Sequence, residues 1–180
     1  MHALRPSFLS SSPRPLLAVL ALSALIAPQA WAQPGLAGSW TYAGDAAEQR
    51  ARERALDQAV AGFPGMFQGQ ARRRMEQQFA PASSLNITLR GDRLELRGGQ
   101  GTLALTVGGP AVPVSGPNGS GQARATRSGG HLVVTLEGER GSRTTTYRLG
   151  AGGQTLVLAT EVRGPRLEQP LRFESTYRRR

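Results

Sequence analysis

Ser84-Leu85-Asn86-Ile87-Thr88-Leu89-Arg90-Gly91-Asp92-Arg93-Leu94-Glu95-Leu96-Arg97 is the stretch whose reading decides the fold. Leu85, Ile87 and Leu89 alternate with Asn86, Thr88 and Arg90; two residues later Leu94 and Leu96 alternate with Arg93, Glu95 and Arg97. Successive side chains on a strand point to opposite faces, so this period of two gives each segment one apolar and one polar side. Gly91-Asp92 between the segments reads as a two-residue hairpin turn, in which glycine supplies the backbone angles of a tight reversal. The turn also accounts for the tripeptide Arg90-Gly91-Asp92, an integrin-binding motif in other settings, on backbone grounds alone.

Toward the C-terminus the same grammar continues. Leu103, Leu105 and Val107 alternate, then Val112 and Val114 flank Pro113, which has no amide N–H to donate and so marks an edge or irregular strand. Gly116-Pro117-Asn118-Gly119 leads to a strand near 122–127, and Ser128-Gly129-Gly130 turns into Leu132, Val134 and Leu136. Strands over 142–149, 155–162 and 171–178 follow, divided by glycine-rich turns at 138–141 and 150–153 and by a proline-bounded loop. Short, regularly spaced strands predict an antiparallel meander. One apolar face per strand makes the sheet curl around its own core, and closure removes exposed edges. The expected fold class is mainly β: a meander closing into a barrel with an aliphatic, mid-sized interior.

Toward the N-terminus the period changes. Residues 36–42 read as a short strand carrying Trp40 and ending at Gly44. Asp45 followed three residues later by Glu48 has the pattern of a helix capping box, and good helix formers follow. Leu56, Ala59, Val60 and Phe63 share one face. Gly62-Phe63-Pro64-Gly65 interrupts, and Phe67, Ala71, Met75 and Phe79 then recur every fourth residue. A helical hairpin inserted after the first strand, over about residues 45–80, is expected, with one apolar stripe per helix. Arg50, Arg52, Arg54, Arg72, Arg73 and Arg74, interspersed with Glu53, Asp57 and Glu76, read as solvated faces with local ion pairs.

Residues 1–32 have the form of a secretory signal peptide. Arg5 and Arg14 make a positive start, 16–27 is apolar, and Ala30-Trp31-Ala32 is a small-x-small cleavage site that would leave Gln33 first. A dozen apolar residues fall short of the roughly 20 needed to span a bilayer. Residues 33–180 are then expected to form a single domain in the periplasm or outside the cell, with no transmembrane segment. Cysteine is absent, so no disulfide, thiol nucleophile or lipoprotein anchor is available. All 22 basic residues are arginine, and with Arg5 and Arg14 set aside the balance against 12 acids is +8. That charge is concentrated in 120–150 and 161–180.

Catalytic constellations are missing. His131 is the only histidine after residue 32 and opens a strand behind a Gly-Gly turn, which makes it a solvent-facing strand residue. No Gly-x-Ser-x-Gly elbow is present, and the glycine-rich turns do not run from a strand into a helix as a phosphate loop requires. The acids alternate with arginine at positions that read as outward-facing, outside any cleft. No enzyme, cofactor or metal site is expected. The lack of a recognition helix or zinc spacing, with little aromatic interleaving, argues against nucleic acid as a partner.

Gly38-Ser39-Trp40 on a first strand, followed by a meander of about eight strands, resembles the lipocalin and wider calycin barrels, whose opening strand carries a Gly-x-Trp motif. The resemblance implies a lipocalin-like barrel with Trp40 at its closed end beneath an arginine of the last strand, a part that falls to Arg172 or Arg178. The inserted helical hairpin departs from the lipocalin order. The chain as a whole also resembles uncharacterised exported bacterial proteins that open on such a tryptophan strand and close on one like Phe173-Glu174-Ser175-Thr176-Tyr177-Arg178. Two functions are expected from this reading. One is an exported barrel binding an apolar or amphipathic small molecule. The alternative is a non-catalytic cell-envelope structural or interaction protein whose cationic surface meets an anionic lipid or polysaccharide. A cavity of several hundred Å³ inside the barrel favours the first.

Overall fold

The computed structural model describes residues 35–99, 101–116 and 119–180; the segment 1–32 read as a signal peptide lies outside the described residues. Ten antiparallel strands follow one another: β1 (Gly38–Tyr42), β2 (Ser84–Arg90), β3 (Arg93–Gly98), β4 (Gly101–Thr106), β5 (Val112–Gly116), β6 (Gly119–Ser128), β7 (His131–Gly138), β8 (Gly141–Leu149), β9 (Thr155–Arg163) and β10 (Leu171–Arg179). Two helices, α1 (Ala46–Ala61) and α2 (Gly65–Gln78), are inserted between β1 and β2. The sheet order is β4-β3-β2-β1-β10-β9-β8-β7-β6-β5, a meander in which the first and last strands pair.

The alternation read from the sequence is the one observed. Ile87 faces Leu96 and Leu89 faces Leu94 across the β2–β3 hairpin, whose turn glycine, Gly91, has a φ of 62°. A positive φ there is strain-free only for glycine. The inward residues of this and the following strands, including Leu94, Leu105, Leu132, Val134 and Leu156, form one buried cluster around Trp40.

Closure is nearly complete. Beyond β4, Val107 bridges Ala125 of β6, and the amide of Gly108 donates to the Ala125 carbonyl at 2.8 Å. β4 and β5 do not pair, so their facing edges leave a lateral opening. Pro113 lies on that edge strand, as expected of a residue with no N–H to contribute.

The helices cover one end. Antiparallel order puts the β3–β4, β5–β6 and β7–β8 turns at the same end as the helical insertion, and the β2–β3, β6–β7 and β8–β9 turns at the other. Leu56 and Ala59 of α1 join Phe79 and Leu171 in a second apolar cluster, with Met75, Val162 and Phe173 packed against it. The Asp45 side chain accepts from the Glu48 amide at 2.8 Å, one half of the capping box. The other half is diverted: Glu48 accepts instead from the Tyr42 hydroxyl at 2.9 Å and from the Thr176 amide of β10 at 2.9 Å. The carboxylate thereby satisfies a strand amide that β1 no longer reaches.

The stripe expected on α2 is only partly used. Phe79 is buried, but Phe67 is 51 % exposed, its neighbour Met66 is 84 % exposed, and no residue within the helix is fully buried. The helix therefore packs through its C-terminal end, where Met75 and Phe79 meet the second cluster. Arg72 bridges the hairpin, donating to Asp57 of α1 at 2.6 Å and to Glu76 of its own helix.

Candidate functional site: the barrel cavity

At the end opposite the helices the barrel is filled. Trp40 is fully buried, its indole N–H donates to the Leu36 carbonyl at 3.1 Å, and a guanidinium lies 4.4 Å from its ring centroid. That guanidinium belongs to Arg179. Neither Arg172 nor Arg178 takes this place, and strand parity is the reason. Trp40 and Arg179 are Cα partners across β1 and β10, whereas Arg172 and Arg178 stand on the opposite face of β10. Arg172 donates to Glu161 at 2.7 Å on the outside of the sheet. Arg179 also donates to the Ala37 carbonyl at 3.0 Å, to Gly153 at 3.2 Å and to Gly35.

At the helical end the interior is open. A cavity of about 1050 Å³ reaches from the end of α2 between the strands to the unpaired edges of β4 and β5. Its walls differ in character. On the β3–β7 side the inward strand positions that line it are aliphatic: Leu96, Leu103, Val112, Val114, Val134 and Leu136, while Thr102, Ser115, Ser120 and Glu137 border it from the alternate positions. On the β8–β10 side it carries Arg143, Thr145, Thr160, Ser175, Tyr147 and Tyr177, set among Leu158, Val162 and Phe173. Strand pairing fixes these positions, since Arg143 sits between Leu136 and Val162, and Thr145 between Val134 and Thr160. Thr145 and Ser175 are only 8 % and 5 % exposed, and the Thr145 and Thr160 hydroxyls are 3.4 Å apart.

The interior is thus less uniformly apolar than the aliphatic sets of β2, β4 and β7 led us to expect. Strand β8 reads Ser142-Arg143-Thr144-Thr145-Thr146-Tyr147-Arg148-Leu149, nearly all polar, which hides its phase. Tyr147 and Leu149 hold the signal: both are apolar-bodied and odd-numbered, so Arg143 and Thr145 share their side.

Burial pushes both interior tyrosines up to about 12, with Arg143 pulling Tyr147 slightly the other way. Both hydroxyls therefore stay protonated and able to donate at neutral pH. The acids are placed less uniformly than expected. Asp45, Glu48, Glu161 and Glu174 line an outer groove between α1 and the outside of β8–β10, where Glu161 meets Arg163 and Arg172, and Glu174 meets Arg148. Arg172 and Arg163 hold the Glu161 carboxyl below the usual range. His131 opens β7 as read but is half-buried rather than solvent-facing, with its Nδ1 buried and unpartnered. No cluster of three or more potential metal ligands occurs among the described residues, and no helix among them is long and apolar enough to cross a membrane.

The architecture is that of calycin-like barrels, with the two helices after the first strand as in fatty-acid-binding protein folds. Solved structures with this fold include a secretary abundant heat soluble protein from Ramazzottius varieornatus (TM-score 0.55, 13 % identity, covering 81 % of this chain and 96 % of that one). They also include fatty-acid-binding protein 1 of Echinococcus granulosus (TM-score 0.51, 12 % identity, 81 % and 98 % covered). The fluorescent protein UnaG is a third (TM-score 0.53, 13 % identity, 82 % and 98 % covered). No family model and no curated protein matches the sequence.

Proposed function

We propose that this protein is an exported, non-catalytic barrel that binds an apolar or amphipathic small molecule. The observation that carries the reading is the cavity of about 1050 Å³ at the helical end, set above a packed closed end. Ligand pockets of small-molecule carriers run to roughly 300–1,000 Å³ and are mostly apolar with a few placed polar groups. A protein whose barrel served only as a scaffold would be expected to fill that space with side chains. The fatty-acid-binding protein among the structures of the same fold supports this reading. Export rests on the signal-like segment at 1–32. The test is a titration of the purified protein with a fluorescent fatty acid: saturable binding at one site supports the reading, and its absence for fatty acids and for other apolar probes ends it.

One observation favours the envelope reading as a second function of the same molecule. Met66 and Phe67 are the large hydrophobic residues left exposed among the described residues, and Arg73 and Arg74 lie exposed one to two turns further along α2 without ion pairs. An apolar helix start beside arginines suits an anionic lipid surface. Co-sedimentation with anionic vesicles, lost at moderate salt and in a Met66→Ser/Phe67→Ser variant but absent with neutral vesicles, is the expected result.

A further inference from the structure

The two-faced lining of the cavity defines its ligand more narrowly. We infer that the site takes a facially amphipathic anion, a broad molecule with one apolar face and one polar face, whose anionic group is held by Arg143. This rests on the binding reading above and adds to it the shape and charge of the ligand.

Arg143 is singled out by three observations. It points inward, because it shares its side of β8 with Thr145 and Tyr147 and stands between Leu136 and Val162. It lines the cavity and acts electrostatically on the buried Tyr147 hydroxyl. Among the described residues its guanidinium has neither an ion pair nor a hydrogen bond, whereas Arg72, Arg97, Arg148, Arg163 and Arg172 are all paired to carboxylates. A guanidinium stays charged at every accessible pH, and withdrawing it halfway from water without a partner is unfavourable. A carboxylate, sulfonate or phosphate oxygen placed beside it restores the missing interaction with two-point geometry.

The shape follows from the hydroxyls. Thr145 and Thr160 are Cα partners on β8 and β9, and Ser175 lies one strand further, opposite Leu158. With Arg143 they form a polar track that runs across three strands, around the barrel wall as well as down it. Across the cavity Leu96, Leu103 and Val114 offer no polar side-chain atom. A straight acyl chain with its head at Arg143 would leave the track against methylenes. A ligand with hydroxyl or carbonyl groups spread along one edge would meet it with hydrogen bonds and bury its other edge on the aliphatic wall.

Deoxycholate, dodecanoate and the methyl ester of deoxycholate separate these features, with binding followed by residue-resolved NMR titration of the purified protein. Deoxycholate is expected to bind about tenfold more tightly than dodecanoate and to shift the amides around Arg143, Thr145 and Thr160. Arg143→Gln should weaken deoxycholate about tenfold and leave the ester unchanged, as expected for loss of one charge-assisted contact. Thr145→Val with Thr160→Val, nearly isosteric, should weaken deoxycholate and spare dodecanoate. Dodecanoate binding as tightly as deoxycholate, or Arg143→Gln weakening acid and ester equally, overturns the inference while leaving a binding barrel in place. Failure of all three ligands to bind overturns the binding reading, and this inference with it.

Discussion

The guanidinium of Arg179 lies 4.4 Å from the centroid of the Trp40 ring, directly across from it in the β1–β10 pairing. The same side chain reaches carbonyls of Gly35, Ala37 and Gly153, so one residue near the C-terminus ties together the approach to β1 and the β8–β9 connection. Truncating Trp40 to alanine opens a cavity in the packed end and is expected to cost about 3–5 kcal/mol. Arg179→Met keeps much of the packing but strands the carbonyls, for about 1–3 kcal/mol. Arg178→Ala, on the outer face, should stay within about 0.5 kcal/mol. Urea denaturation of the three variants checks the order; equal losses in Arg178→Ala and Arg179→Met would refute the assignment.

Gly38 is required by the same arrangement. Its φ is 143°, and a Cβ there would stand 2.6 Å from Nη1 of Arg179. Gly38→Ala combines backbone strain with displacement of the guanidinium, so a loss of about 1–3 kcal/mol is expected. In an Arg179→Met background the steric part vanishes, and the double mutant should lose less than the sum of the singles. Strict additivity in a double-mutant cycle would show that the glycine serves β1 alone.

The fold was legible in the sequence because period two and glycine-bearing turns are local signals, and Leu85 to Leu96 display both without ambiguity. The site was less legible, for reasons of parity. Choosing Arg172 and Arg178 over Arg179 overlooked that Leu171, Phe173 and Tyr177 already fix the odd positions of β10 as inward. Arg143 was hidden in a run of polar residues whose phase only Tyr147 and Leu149 set. The diversion of Glu48 from its own helix to the Thr176 amide had no local signal at all. It depends on β1 ending at Tyr42 while β10 continues, a long-range fact.

Glu48 provides a separable test of that long-range contact. Glu48→Ala leaves the Thr176 amide and the Tyr42 hydroxyl without their acceptor in a half-buried place, and a loss of about 1–3 kcal/mol is expected. Glu174→Ala removes an exposed ion pair with Arg148 and should cost about 0–1 kcal/mol. Hydrogen exchange at the Thr176 amide should speed up in the first variant and not in the second.

The buried tyrosines make stability fall at high pH. An unfolded tyrosine loses its proton near 10, while Tyr147 and Tyr177 keep theirs to about 12 in the folded barrel. Between those values the unfolded chain binds fewer protons than the native one. The stabilisation present below pH 10 is therefore lost as pH rises toward 12, by at most about 1.4 kcal/mol per pH unit for each tyrosine. Ultraviolet titration of tyrosinate absorbance should place Tyr147 and Tyr177 last among the three tyrosines, and Tyr147→Phe should remove one of these late steps.

The contrast between a packed end and an open end can be tested by adding volume to each. Leu94 is fully buried in the closed-end cluster, where the surrounding side chains leave no room. Leu94→Trp forces its neighbours off their rotamers and is expected to cost about 1–3 kcal/mol or more. Leu136 is half-buried and borders the cavity of about 1050 Å³, so an indole there enters open space. Leu136→Trp should leave the urea midpoint nearly unchanged while lowering affinity for any cavity ligand by about tenfold, because the added ring occupies the volume that the ligand would use. If Leu136→Trp unfolds the protein as readily as Leu94→Trp, that part of the interior is filled in solution, and the barrel is a scaffold rather than a container.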